Sequence, residues 1–99
     1  FGAPVGDMVL HHHERWDGSG YPYGLRGTFI PLGARILGVA DAFEAIHVPA
    51  VYDRPLRDRI ALRILQVASG TQFDPSVVGL LVELMSEPET IAVRDSPHR

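Results

Sequence analysis

The sequence has no cysteine, so a disulfide framework is excluded, which fits a cytoplasmic chain. Lysine is absent too: all nine basic residues are arginine, a compositional habit rather than a functional feature. No apolar run is long enough to span a bilayer. Phe1-Gly2-Ala3-Pro4 has neither an initiator Met nor the basic-then-apolar pattern of a signal peptide, so a segment from within a longer protein is expected. With a formal net charge of -3 there is no general basic field, which argues against a nucleic-acid polymer as partner. A local group of arginines could still hold a phosphate. At 99 residues and 45% hydrophobic content, the chain can form one small domain that buries about two-thirds of its unfolded surface.

What the chain does contain is concentrated between His11 and Pro22, which pass from consecutive histidines into a glycine-rich loop. Imidazoles are good ligands for zinc, iron or manganese. Val5, Met8, Val9 and His12 fall at the i, i+3, i+4, i+7 positions of an amphipathic helix. That pattern continues the buried stripe through His12, sets His13 about 100° around from it and turns His11 towards the edge or solvent. Taken alone, His12 reads first as a hydrogen-bonded core histidine, since the metal-ligand reading needs partners elsewhere in the chain. In the connector from Arg15 to Ile30, Gly18, Gly20, Gly24 and Gly27 offer positions for positive φ, and Trp16, Tyr21 and Tyr23 add flat surfaces. So long a connector is either functional or disordered, and its aromatics argue against disorder.

The pattern predicts four helices, near 4–14, 31–47, 54–69 and 75–86, with 87–99 a frayed tail. The second is apolar on nearly every side and is expected to be the most buried. Asp41 and Glu44 lie on one face of it, and a buried Asp41 must be protonated, paired with a base such as Arg35, or bound to a metal. Asp53 followed by Pro55, and Asp74 followed by Pro75, are cap-then-proline starts for the third and fourth helices. The third is expected to pack through Leu56, Ile60, Ile64 and Val67, and the fourth through Val77, Val78, Leu81, Leu84 and Met85. Arg54 and Arg57 stand at the positive end of the third helix dipole, where cations call for an anion: a carboxylate such as Asp53 or Asp58, or a ligand phosphate.

His12-His13-Glu14, Asp17-Gly18 and Gly20-Tyr21-Pro22 resemble the HHExxDGxGYP signature of the HD-GYP family, a branch of the HD metal-dependent phosphohydrolases. Ile30 to Ile36, Val39-Ala40-Asp41, Asp53-Arg54-Pro55 and Gly70 to Pro75 resemble later blocks of that family in the same order. The resemblance implies an all-α fold, with residues 1–86 the C-terminal half of an HD-type helical bundle. It implies that the parent protein hydrolyses cyclic di-GMP with two or three divalent metal ions, iron or manganese. His12, His13 and Asp41 would be metal ligands. Arg54, Arg57 and Glu44 would contact substrate, although Glu44 stands where the family usually has aspartate.

Two departures qualify that reading. The family's earlier histidine, its His-Asp doublet and its intervening histidine have no counterpart here, so this half is expected to be inactive by itself. The link from Ile46 to Asp53 is also longer than the family's usual one, which would displace Arg54. Alternatives consistent with the residues are a degenerate module that docks diguanylate cyclase (GGDEF) domains through the Gly-Tyr-Pro loop, and a phosphohydrolase of another nucleotide.

Overall fold

The computed structural model describes residues 2–86; the tail expected at 87–99 lies outside them. Four α-helices follow in order: α1 Gly2–His11, α2 Leu32–Ala45, α3 Arg54–Val67 and α4 Pro75–Met85. A single 3-10 turn, Gly27–Phe29, interrupts the long loop after α1. Among the described residues there is no β-strand, only an isolated bridge between Ser69 and Phe73. The fold is all-α, as the hydrophobic periodicity requires.

Both cap-then-proline signals act as expected. Asp53 Oδ1 accepts the Leu56 N–H at 3.0 Å, and Asp74 Oδ1 accepts the Ser76 N–H at 2.8 Å. Each carboxylate satisfies a donor that a helix N-terminus leaves without an intrahelical partner, and the proline beside it has no N–H to satisfy. The core lies where α2, α3 and α4 meet, built on Val39, Leu65, Phe73 and Val78. α1 packs against α2 on the other flank.

The burial pattern departs from expectation in three places. α2 is not the most buried helix: it buries Ala34 and Val39, whereas α3 buries Ala61, Leu62 and Leu65. Neighbours cover two flanks of α2, and no described element covers the row Leu32, Ile36 and Ala40, which lines a groove of about 370 Å³ with Leu80 and Leu84 of α4. On α3 the buried stripe is shifted, because α2 and α4 approach from the side of Leu62 and Leu65; Ile64 and Val67 are exposed. On α1, Val5 and Val9 are exposed and His11 is buried, the reverse of the expected stripe.

Candidate metal-binding cleft

α1 ends at His11, short of the expected Glu14, because Glu14 is needed elsewhere. Its backbone N–H closes a tight turn onto His11 O at 3.0 Å, and its fully buried carboxylate faces inward. There Oε2 accepts the Tyr23 N–H at 3.0 Å, Oε1 accepts the Leu25 N–H at 2.9 Å, and His11 Nδ1 lies 3.1 Å from Oε2. Burial pushes the Glu14 carboxyl up, but these donors, Tyr23 first, hold it below its ordinary value. Glu14 is thus the post around which the loop is wound. The sequence reading gave it no role, although a carboxylate at the expected C-terminal end of a helix opposes the dipole and so calls for a partner outside the helix.

The loop is also sewn to the α3–α4 connector. Trp16 N–H donates to Gln72 O at 3.0 Å and Asp17 N–H to Thr71 O at 2.8 Å. Arg26 donates to Asp17 O at 3.1 Å, and Asp17 Oδ1 accepts both the N–H and the hydroxyl of Ser19. The Ser19 hydroxyl, with its N–H next, holds the Asp17 carboxyl below the usual range. Gly20 does not use positive φ, as the sequence suggested, but close approach: a Cβ there would strike the backbone of His13, Glu14 and Arg15. The Tyr21–Pro22 peptide bond is cis.

This scaffold presents the histidine doublet to α2. His12 Nδ1 lies 2.7 Å from Val9 O, an acceptor, so Nδ1 carries a proton and the neutral ring has its lone pair on Nε2. That Nε2 is 3.7 Å from Asp41 Oδ2. The approach is close enough that a Cβ on Gly38, one turn before Asp41, would lie 3.2 Å from His12 O. The His13 ring stacks on Tyr21, at 5.0 Å and 21° from parallel, and lies 4.0 Å from the His12 ring at a tilt of 39°. A cleft of about 410 Å³ is lined by His12, His13, Gly20, Tyr21 and Asp41 among others. Asp17, Gly18 and Pro22, the other signature residues, shape the loop outside its lining.

The expectation that Asp41 is buried is corrected: its side chain is 59% exposed, because it lines the cleft opposite His12 rather than a packed interface. Arg35, the base expected to pair with it, is engaged elsewhere. The Arg35 guanidinium donates to Ile30 O at 2.8 Å and pairs with buried Asp74 at 2.8 Å, fixing the loop's exit and the start of α4 to α2. Among the described residues, no three His, Asp or Glu side chains are placed to hold a metal ion. The imidazoles of His12 and His13 and the carboxylate of Asp41 are nonetheless of the donor types that bind divalent ions.

Arg54, Arg57 and Glu44 are not brought into that cleft. They line a separate one of about 320 Å³ with His47 and Asp58, one turn further along α2. Arg54 is largely exposed and pairs with Asp58 at 3.4 Å, the surface-carboxylate alternative. The Arg57 Nε is buried and has no hydrogen-bond partner among the described residues.

Comparison with known proteins places this geometry in context. The sequence profile of the family described as HD domain matches residues 1–77. A probable cyclic di-GMP phosphodiesterase of Vibrio cholerae is 43% identical over 73% of this chain and 16% of its own length. A cyclic di-GMP phosphodiesterase response regulator of Xanthomonas campestris is 44% identical over 88% of this chain and 23% of its own. A 3'3'-cGAMP-specific phosphodiesterase of Vibrio cholerae is 42% identical over 91% and 17%. The crystal structure of a cyclic GMP-AMP specific phosphodiesterase from Vibrio cholerae superposes with a TM-score of 0.75 at 28% identity, covering 93% of this chain and 21% of that one. The chain thus spans less than a quarter of the length of each of these relatives.

Proposed function

Because the chain belongs to the HD domain family, we propose that the protein carrying it is a metal-dependent phosphodiesterase of cyclic di-GMP and that these residues form part of its catalytic domain. The observation that carries this reading is the free Nε2 of His12 facing Asp41 at 3.7 Å, with Nδ1 committed to Val9 O. His12, His13 and Asp41 would hold the metal, and two or three divalent ions of the iron or manganese type are expected in the complete domain. Bound divalent ions supply acidified water and neutralise phosphoryl charge.

The chain's own residues bind and orient. The Val9 carbonyl fixes the His12 tautomer, and Glu14 holds the loop against the doublet. Arg57, whose buried Nε has no acceptor among the described residues, would take a phosphate oxygen of the substrate, with Arg54 and Glu44 at the same cleft. Alone, the segment would be inactive, since the ligand set is incomplete. In the full-length protein Asp41→Asn should lower metal content and cyclic di-GMP hydrolysis together; full retention of both would refute the assignment.

Exposed Tyr23 and Phe29 on the loop favour a second role as a docking surface, for which the family resemblance suggests a diguanylate cyclase domain. Tyr23→Ser with Phe29→Ser should abolish such binding in a titration and spare metal content. Undiminished binding would remove that reading.

A further inference from the structure

The geometry points to Tyr21 as a positioning residue that holds the His13 imidazole at the cleft by face-to-face stacking, a role resting on the reading of His13 as a metal ligand. His13 needs such a device. Unlike His11, which meets Glu14, and His12, which meets Val9 O, it has no side-chain hydrogen bond among the described residues, and it is exposed. An imidazole on an exposed side chain turns freely about its χ angles unless something packs on its faces. The His12 ring lies 4.0 Å from that of His13 but is tilted by 39°, whereas the Tyr21 ring lies nearly parallel to it at 5.0 Å. Aromatic pairs at such separations are favourable when stacked in this manner.

Tyr21 is itself held by backbone rather than by burial, since its side chain is largely exposed. Gly20, which has no room for a Cβ, lets the chain fold back over His13–Arg15, and the Tyr21 N–H reaches His13 O at 3.4 Å. Two residues further on, Glu14 ties down the Tyr23 N–H. A large ring kept in solvent by this much backbone order, yet laid on an otherwise free imidazole, is accounted for by the imidazole's orientation. The tyrosine hydroxyl plays no part, because stacking uses the ring face.

The test uses the full-length protein. In its metal-free form, the imidazole resonances of His13 should shift in Tyr21→Leu, which keeps bulk without a flat face, and stay close to wild type in Tyr21→Phe. Manganese(II) affinity, read by calorimetry, should fall about threefold to tenfold in Tyr21→Leu and recover in Tyr21→Phe, with the thermal midpoint unchanged throughout. Unmoved His13 resonances in Tyr21→Leu would overturn the proposal, as would equal shifts in the leucine and phenylalanine variants. Wild-type affinity in Tyr21→Leu would overturn it too, provided that Asp41→Asn weakens binding. If Asp41→Asn leaves manganese binding unchanged, the metal reading fails by itself and the His13 resonances still decide whether Tyr21 holds that ring.

Discussion

The loop from His12 to Ile30 and the outer flank of the helices are held by opposite means. In the loop, order comes from polar groups: a buried carboxylate, paired backbone amides and a seam to the α3–α4 connector. On the helices, order comes from apolar burial, and it stops partway round. Val5, Val9 and Leu10 of α1, and Leu32 and Ile36 of α2, remain exposed. The loop finds its hydrogen-bond partners within the described residues, whereas the helical layer leaves apolar side chains uncovered. Chemistry is accordingly presented by the part held by polar groups, and the open flank is apolar surface free to self-associate.

The largest effect that would break this contrast is expected at Glu14. Glu14→Ala leaves the part-buried N–H groups of Tyr23 and Leu25 without acceptors, costing about 2–4 kcal/mol. Hydrogen exchange should then show both amides losing protection while α3 keeps its own. The same carboxyl gives a pH signature. Its folded-state value is depressed below the ordinary 4.5, so its stabilisation is complete above that value and is lost as pH falls through the folded-state one. Glu14→Gln should flatten that acid limb in thermal melts.

Gly20→Ala comes next, at about 1–3 kcal/mol, because the new methyl meets backbone that cannot swing aside as a side chain would. Limited proteolysis should open the loop first. Asp53→Ala, which removes one helix cap, should cost about 1 kcal/mol by urea unfolding. The smallest effect sharpens the other half of the contrast: Leu32→Glu with Ile36→Glu should change folding stability by no more than about 0.5 kcal/mol, since both side chains are exposed. It should nonetheless suppress self-association of the isolated segment, which sedimentation would detect as a shift towards monomer. An isolated wild-type segment that sediments as a monomer would show that the open flank needs no cover.

Helix starts were legible because they are local: Asp53 and Asp74 cap within three residues of themselves, and the proline beside each leaves little choice. The end of α1 was not, because Glu14 is recruited by Tyr23 and Leu25, and such distant acceptor needs leave no periodic trace. Composition also misled at α2. An apolar surface states what a helix would bury, not what lies against it, so a helix read as buried on nearly every side leaves Leu32 and Ile36 exposed. The same gap explains Asp41, expected in the interior and found at its edge. The approach of His12 to Asp41 was expected from the resemblance; no spacing along the chain encodes it.

The seam of Trp16 and Asp17 with Thr71 and Gln72 bears on how this loop could be reused. A protein engineer who cut out the histidine doublet with its glycine-rich loop and grafted it onto another helix pair would carry over the Glu14 post but leave behind the carbonyls that receive the loop's first amides. Those donors would turn to water, and the imidazoles would lose their fixed bearing on the carboxylate across the cleft. The transferable module is therefore discontinuous: the loop and the short turn between α3 and α4 travel together or not at all.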